Sequence, residues 1–285
     1  MSDTLRPPRD DDLAWVADLM SEFSPDRVDP ASVRRDWTSP VIDVQHDVRI
    51  EDDAYALVED MTEGRVWLEF HGRPSAGIVD WAEVRGREKG HRFFSGAWSG
   101  NRTVLETIAE RSFEPVRHSH RMEIDLDTTP ASADWPEGII ARAYEQGDER
   151  VFYELHQETF EDTWEPIRET YEEWAHWLLD GPDFAPEFWF LAFAGDEPAG
   201  FAMCHPYPTR PELGWVRVLG VRRPWRRRGI GRALLLHVFG EFSKRGLQGA
   251  GLGVDATSLT GANKLYEQVG MRVTARFDIF EKVLS

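Results

Sequence analysis

"VRRPWRRRGIGRALL" runs from Val221 to Leu235. It gathers six arginines, at 222, 223, 226, 227, 228 and 232, around two glycines and ahead of an apolar run. The chain around it is acidic, with 33 Lys and Arg against 51 Asp and Glu and a formal net charge of -18. Such a local excess of positive charge calls for a local reason. The residues before it, "LGWVRVLGV" (213–221), read as a strand. Those after it, "GRALLLHVFGEFSKRG" (231–246), read as a helix closed by Gly246. A helix start offers unpaired N–H groups and a partial positive charge, so it attracts phosphate. Gly229 and Gly231 let the backbone approach a ligand closely. The arginines add forked donors and long-range attraction. Arg232, in the first helical turn, opposes the helix dipole, and a bound anion would offset that cost. The stretch therefore predicts a polyanion site, most naturally for a pyrophosphate.

Three kinds of phosphate loop compete for it. A nucleotide P-loop needs Gly-Lys-Ser/Thr at the helix start, but Gly231 is followed by Arg232 and Ala233. A dinucleotide fingerprint needs a third glycine, where this chain has Leu234. Asp255 imitates that motif's ribose acid, but the preceding chain is not a βαβ start. A coenzyme A loop, Arg/Gln-x-x-Gly-x-Gly/Ala, fits as Arg226-Arg227-Arg228-Gly229-Ile230-Gly231.

Working outward, "DTTPASADWPEG" (127–138) is the richest linker signal and divides the chain almost in half. The predicted division is 1–127, a linker at 128–137, and 138–285. In the second half, 138–144 alternates like a strand, and 148–160 and 168–180 have helical spacing. "EFWFLAFAGDEPAGFAMCHP" reads as strand, turn, strand. After the arginine loop and its helix, 249–256 is an apolar strand, 261–270 a helix and 271–284 a closing strand. The first half echoes this order. Residues 65–90 shadow 217–246, and 110–126 shadow 267–284, which suggests a duplicated domain. The loop equivalent to the arginine stretch, "HGRPSAGIVDWA" (71–82), lacks most of the arginines, and Val79 stands where Gly231 would be.

Two stretches, "LGVRRPWRRRGIGRALL" and "VDATSLTGANKLYEQVGM", resemble the GNAT (GCN5-related N-acetyltransferase) family, and the order of elements over 138–284 agrees. The tandem layout resembles that of two-domain actinobacterial members. The resemblance implies an α/β fold of two tandem GNAT-like domains, each a mixed, mostly antiparallel central sheet flanked by helices. The first domain would be degenerate. The second would bind acetyl-CoA and transfer its acetyl group directly to a small amine. Leu219, Gly220 and Val221 would pair with the pantetheine arm. Arg226, Arg227, Arg228, Gly229, Ile230, Gly231 and Arg232 would hold the pyrophosphate. Tyr266 occupies the usual general-acid position, though it also reads as a half-buried helix tyrosine. The family's common base, a glutamate near the start of the strand before the loop, is replaced by Trp215. Glu212 is the candidate base, with His205 and Asp255 also within reason through water. The absent glutamate keeps open a second reading, a CoA-binding sensor or scaffold without transfer.

The remaining signals bound the function. A pI of about 4.9 argues against a general nucleic-acid binder. Cys204 is the single cysteine, so no disulfide framework arises within one chain, and it reads as a buried strand residue. His118 and His120 alternate on a strand, but two ligands do not make a metal site, and none is expected. "MSDTLRPPRDDD" has no apolar core, so no signal peptide is expected, and no stretch has the length of a membrane span. The expectation is a cytoplasmic monomer or homodimer whose partner is a small-molecule amine, with no nucleic acid and no membrane. Trp164, Tyr171, Trp174 and Trp177 read either as core or as an aromatic wall for the acceptor.

Overall fold

The computed structural model describes residues 5–39, 41–126, 131–161, 163, 169–181, 183–257 and 261–284. The chain forms two compact units, residues 1–120 with 275–285, and residues 121–274.

The first unit begins with helices α1 (Leu13–Ser21), α2 (Pro30–Trp37) and the single turn α3 (Val44–Asp47). Strands β1 (Val48–Glu51), β2 (Ala54–Thr62) and β3 (Arg65–Gly72) follow, then α4 (Ala76–Lys89), β4 (Arg92–Trp98), α5 (Arg102–Glu110) and β5 (Glu114–Asp125). β1, β2 and β3 pair antiparallel, whereas β3 and β4 run parallel. Strict alternation along β3 sends Val66, Leu68 and Phe70 to one face, where they pack with Ile78, Val79 and Ala82 of α4 and Val104 and Ile108 of α5. The other face meets α1 and α2 through Val16, Val33 and Trp37, packed on Tyr55 and Leu57.

The second unit repeats the plan with β6 (Ile139–Ala143), α6 (Glu149–Phe160), α7 (Tyr171–Leu178), β7 (Trp189–Ala194), β8 (Glu197–Tyr207), β9 (Arg210–Val221), α8 (Ile230–Lys244), β10 (Gly249–Asp255), α9 (Ala262–Gln268) and β11 (Arg272–Val283). β6 through β9 form antiparallel pairs, and β10 lies parallel to β9. The end of β11 belongs to the first unit, where Phe277–Val283 pair antiparallel with Trp98–Arg92 of β4. Both faces of the second unit's sheet are covered, so its central strands are apolar on both sides. Trp189 and Leu191 of β7 pack with Phe152 and Leu155 of α6 and with Trp174 of α7. Phe190 and Ala192 pack instead with Leu234, Leu235, Val238 and Phe239 of α8. Gly246 ends α8 with φ +83, which lets the Leu247 N–H return to the Phe242 carbonyl at 3.0 Å.

Each unit is thus a mixed, mostly antiparallel sheet flanked by helices, as the sequence predicts. The sheet element boundaries observed across 138–284 lie within a few residues of the expected ones.

Candidate active site

The site is built where two parallel strands part. The ladder between β9 and β10 spans only Leu213–Trp215 and Gly249–Gly251. β9 continues to Val221 along β8, which pairs with Leu219, Gly220 and Val221 through Ala202, Phe201 and Gly200. Its other edge has no ladder to β10 over that length, so it can accept an extended ligand as a strand accepts a neighbour. Arg217 is the extra residue of a β-bulge, since Met203 faces Val218 and Cys204 faces Val216. A bulge re-aims a strand's side chains next to a site. Arg217 is exposed here.

At the open end stands the start of α8. Its N-cap, Gly229, has φ +89, a conformation that a side chain strains, and no side chain caps the helix. The first donation into the turn is from the Ala233 N–H to the Gly229 carbonyl, at 3.0 Å. The amides of Ile230, Gly231 and Arg232 donate to no described residue. Gly231 has a different logic. A Cβ there would meet Leu265, Val221 and Leu219 at 3.4–4.0 Å, which is ordinary contact, so packing alone does not demand the glycine.

The arginines sort into two groups. Arg226 turns inward, donating from Nε to the Val221 carbonyl at 3.0 Å and from Nη2 to the Thr159 carbonyl at 3.3 Å. It thereby ties the loop to the ends of β9 and α6. Arg222 pairs with Glu158 and Glu197, each at 2.7 Å, and Arg223 with Glu161 at 3.3 Å. These account for the charge the motif itself does not explain. Arg227, Arg228 and Arg232 form no ion pair with a described residue; Arg228 lies over the Trp225 ring at 4.8 Å. Arg227 has φ +64, a strained conformation for a residue with a side chain.

Tyr266 projects from α9 into the α8-side cluster and is 8% exposed. Burial pushes its phenol up to about 12. Asn263, one turn earlier, fastens α9 to the end of β10 by donating to the carbonyls of Asp255 (2.9 Å) and Ala256 (3.1 Å). Its Oδ1 is buried with no hydrogen-bond partner among the described residues. The sequence reading passed over it, because an asparagine near a helix start is an ordinary capping residue. Asp255 Oδ1 accepts from the Thr257 amide and hydroxyl.

Glu212 lies elsewhere. It is exposed, 3.6 Å from Arg210, on the far side of the ladder from the opening. Five residue steps along the strand, about 17 Å at ~3.3 Å per residue, separate it from Arg217. His205 faces Trp215 across the β8–β9 pair and is buried. Its Nδ1 lies 2.9 Å from the Pro206 carbonyl, which only accepts, so Nδ1 holds the proton and Nε2 keeps its lone pair. Burial lowers its pKa, outweighing the Pro206 bond and Asp183. Arg217 contributes repulsion to both His156 and His205.

The aromatic helix divides. Trp174 is fully buried, donating from Nε1 to His156 Nδ1 at 3.1 Å, and is core rather than wall. Tyr171 stacks on it at 5.9 Å, and Trp177 is exposed. Trp164 lies outside the described residues. Cys204 is buried in the sheet, and burial raises its thiol pKa well above the usual value. His118 and His120 stand ring to ring at 5.2 Å, and among the described residues no three metal-binding side chains gather. No described helix is long and apolar enough to cross a membrane.

Within this α/β fold a parted parallel strand pair opens onto an uncapped, arginine-flanked helix start. The Acetyltransferase (GNAT) family model matches residues 150–271. It is 31% identical over 189 residues to a mycothiol acetyltransferase of Streptomyces scabiei, an alignment covering 65% of this chain and 58% of that protein. It is 29% identical over 231 residues to the mycothiol acetyltransferase of Thermobispora bispora, covering 73% of this chain and 75% of the relative. A GCN5-related N-acetyltransferase structure from Sphaerobacter thermophilus superposes with a TM-score of 0.80 at 29% identity, covering 98% and 95% of the two chains. A tandem GNAT protein from the clavulanic acid biosynthesis pathway shares the fold, with a TM-score of 0.69 at 12% identity and 98% of each chain covered.

Proposed function

We propose that the second half, 138–285, is an acetyl-CoA-dependent N-acetyltransferase acting on a small amine by direct transfer, and that the first half is a degenerate copy. The observation that carries this reading is the open edge of β9. It leads from the uncapped start of α8, beside which Arg227, Arg228 and Arg232 form no ion pair with a described residue, toward the Arg217 bulge. The residues present fit the donor. The amides at 230–232 and the side chains of Arg227, Arg228 and Arg232 would hold the pyrophosphate. Gly229 lets the backbone turn into that cradle, and Ile230 anchors the turn in the core. Arg226 would shape the loop from behind. The edge of Leu219, Gly220 and Val221 would pair with the amide-bearing arm, and the buried Oδ1 of Asn263 offers it a further acceptor.

In the transfer, a neutral amine attacks the thioester carbonyl carbon, the C–N bond forms, the C–S bond breaks and the thiolate leaves. Tyr266 is protonated across the physiological range, because burial holds its phenol near 12, so it can donate to the leaving sulfur. The ammonium must first lose a proton. Of the base candidates, His205 is buried, neutral at pH 7 and holds its proton on Nδ1, whereas Glu212 would act only through a long water path. The mycothiol acetyltransferase relatives motivate a polar amine as acceptor.

Titration calorimetry of the full chain with acetyl-CoA, alongside thiol release with a panel of amines, tests the proposal. Binding with acceptor-dependent release is expected. Absence of binding refutes it. Binding without release from any amine favours the sensor reading, which Trp215 in place of the family's common glutamate motivates.

A further inference from the structure

The first unit contains a pocket of about 230 Å³, between β3, β4, the end of β11 and the segment after α1. The β3–β4 ladder is as short as its counterpart, spanning only Arg65–Trp67 and Arg92–Phe94. Trp67, at its end, and Glu69 and His71 beyond it line the pocket together with Trp98 and Phe277. Phe277 stacks against Trp67, with centroids 6.3 Å apart, and meets Trp98 edge-on at 5.3 Å. Gly96 makes room for this arrangement. A Cβ there would stand 2.7 Å from the Phe277 ring and 2.5 Å from the Asp278 carbonyl. The aromatic walls are therefore built into the strand register.

The polar lining residues are Ser24, Glu69, His71 and Asn101, with Glu69 the one carboxylate among them. Glu69 Oε1 lies 2.6 Å from His71 Nε2, and both side chains are largely covered. Two further carboxylates crowd Glu69. Asp36 is pushed up to about 6 by burial and by Glu69, and Glu59 is pushed up by burial, Glu69 and Asp36. Arg35 and Lys89 are the cations that oppose this, and Lys89 is engaged by Asp47 at 3.0 Å. Aromatic faces attract cations through the ring quadrupole, most strongly when water is excluded, and a carboxylate adds direct attraction. The geometry points to a binding site for a small organic cation, an alkyl- or quaternary ammonium, held between Trp67, Trp98 and Phe277 with Glu69 as counter-ion. This goes beyond the transfer reaction and requires neither acetyl-CoA nor turnover.

The probe is choline, with 3,3-dimethylbutan-1-ol as its neutral isostere, titrated into the full chain and followed by tryptophan fluorescence and calorimetry. Saturable choline binding is expected, with the isostere at least tenfold weaker. Glu69→Gln and Trp98→Leu should each weaken choline tenfold or more while circular dichroism stays native. If Glu69→Gln fails to fold, Phe277→Leu takes its place, because it removes a wall and leaves the charges intact. No saturable choline binding, equal affinity for the isostere, or binding unchanged in folded variants would each overturn the assignment.

Discussion

The Ser75 hydroxyl donates to Glu51 Oε1 at 2.7 Å while accepting from the amides of Gly77 (3.1 Å) and Ile78 (3.4 Å). The first unit thus fills the start of α4 with its own side chain and sets a carboxylate behind it. The equivalent point in the second unit, the start of α8, is uncapped. An anion would have to displace Ser75 and approach Glu51. Calorimetry should therefore count one acetyl-CoA per chain, and two would contradict this reading. Ser75→Ala should lower stability by about 1 kcal/mol, the usual worth of an N-cap, seen as a fall in Tm.

The division among the arginines predicts opposite phenotypes. Arg228→Glu and Arg232→Glu should each weaken CoA tenfold or more, and less so at high salt, with Tm little changed. Arg222→Ala removes two partly exposed ion pairs and should cost up to about 1 kcal/mol of stability while leaving CoA affinity within about twofold. Equal losses of affinity in all three would show that the loop acts only through its total charge.

Tyr266→Phe should lower kcat at least tenfold and leave the CoA Kd nearly unchanged. It should also change the alkaline stability profile. The folded phenol titrates near 12 and an unfolded tyrosine near 10, so the unfolded state loses its proton first. Stability must fall as pH rises from about 10 to 12. Urea melts of the wild type and Tyr266→Phe, compared over that window, isolate the term.

His156 supplies the acid-side counterpart. Burial, reinforced by Arg217, lowers it to about 4, and Trp174 donates to its Nδ1. Below about 6.5 the unfolded state binds a proton that the folded state refuses, so stability falls as pH drops toward 4, by on the order of 3 kcal/mol. His156→Gln should flatten that slope. An unchanged slope would show that another group carries it.

For the base, His205→Gln and Glu212→Gln separate the two candidates. If His205 accepts the ammonium proton, its substitution depresses kcat/KM and removes an acid limb lying below pH 6.5, while Glu212→Gln leaves the profile intact. The reverse pattern restores Glu212.

The sequence by itself determined the order of elements in the second half and the cationic, glycine-bearing character of the arginine loop. Period, glycine placement and helix-start chemistry are local properties. It also carried the family resemblance, in the residues around Gly229 and Tyr266. Which arginines are available was not legible, because Arg222, Arg223 and Arg226 find partners far away in sequence, on α6, at its end and on β8. Trp174 and Trp177 are three apart on one helix, yet one is core and the other exposed, as only the packing of α6 and β7 decides. Glu212 sits in the same strand as Leu219, but the short β9–β10 ladder puts it on the closed side of the opening. Strand pairing sets where two chains part, and that is a property of the fold rather than of any one segment.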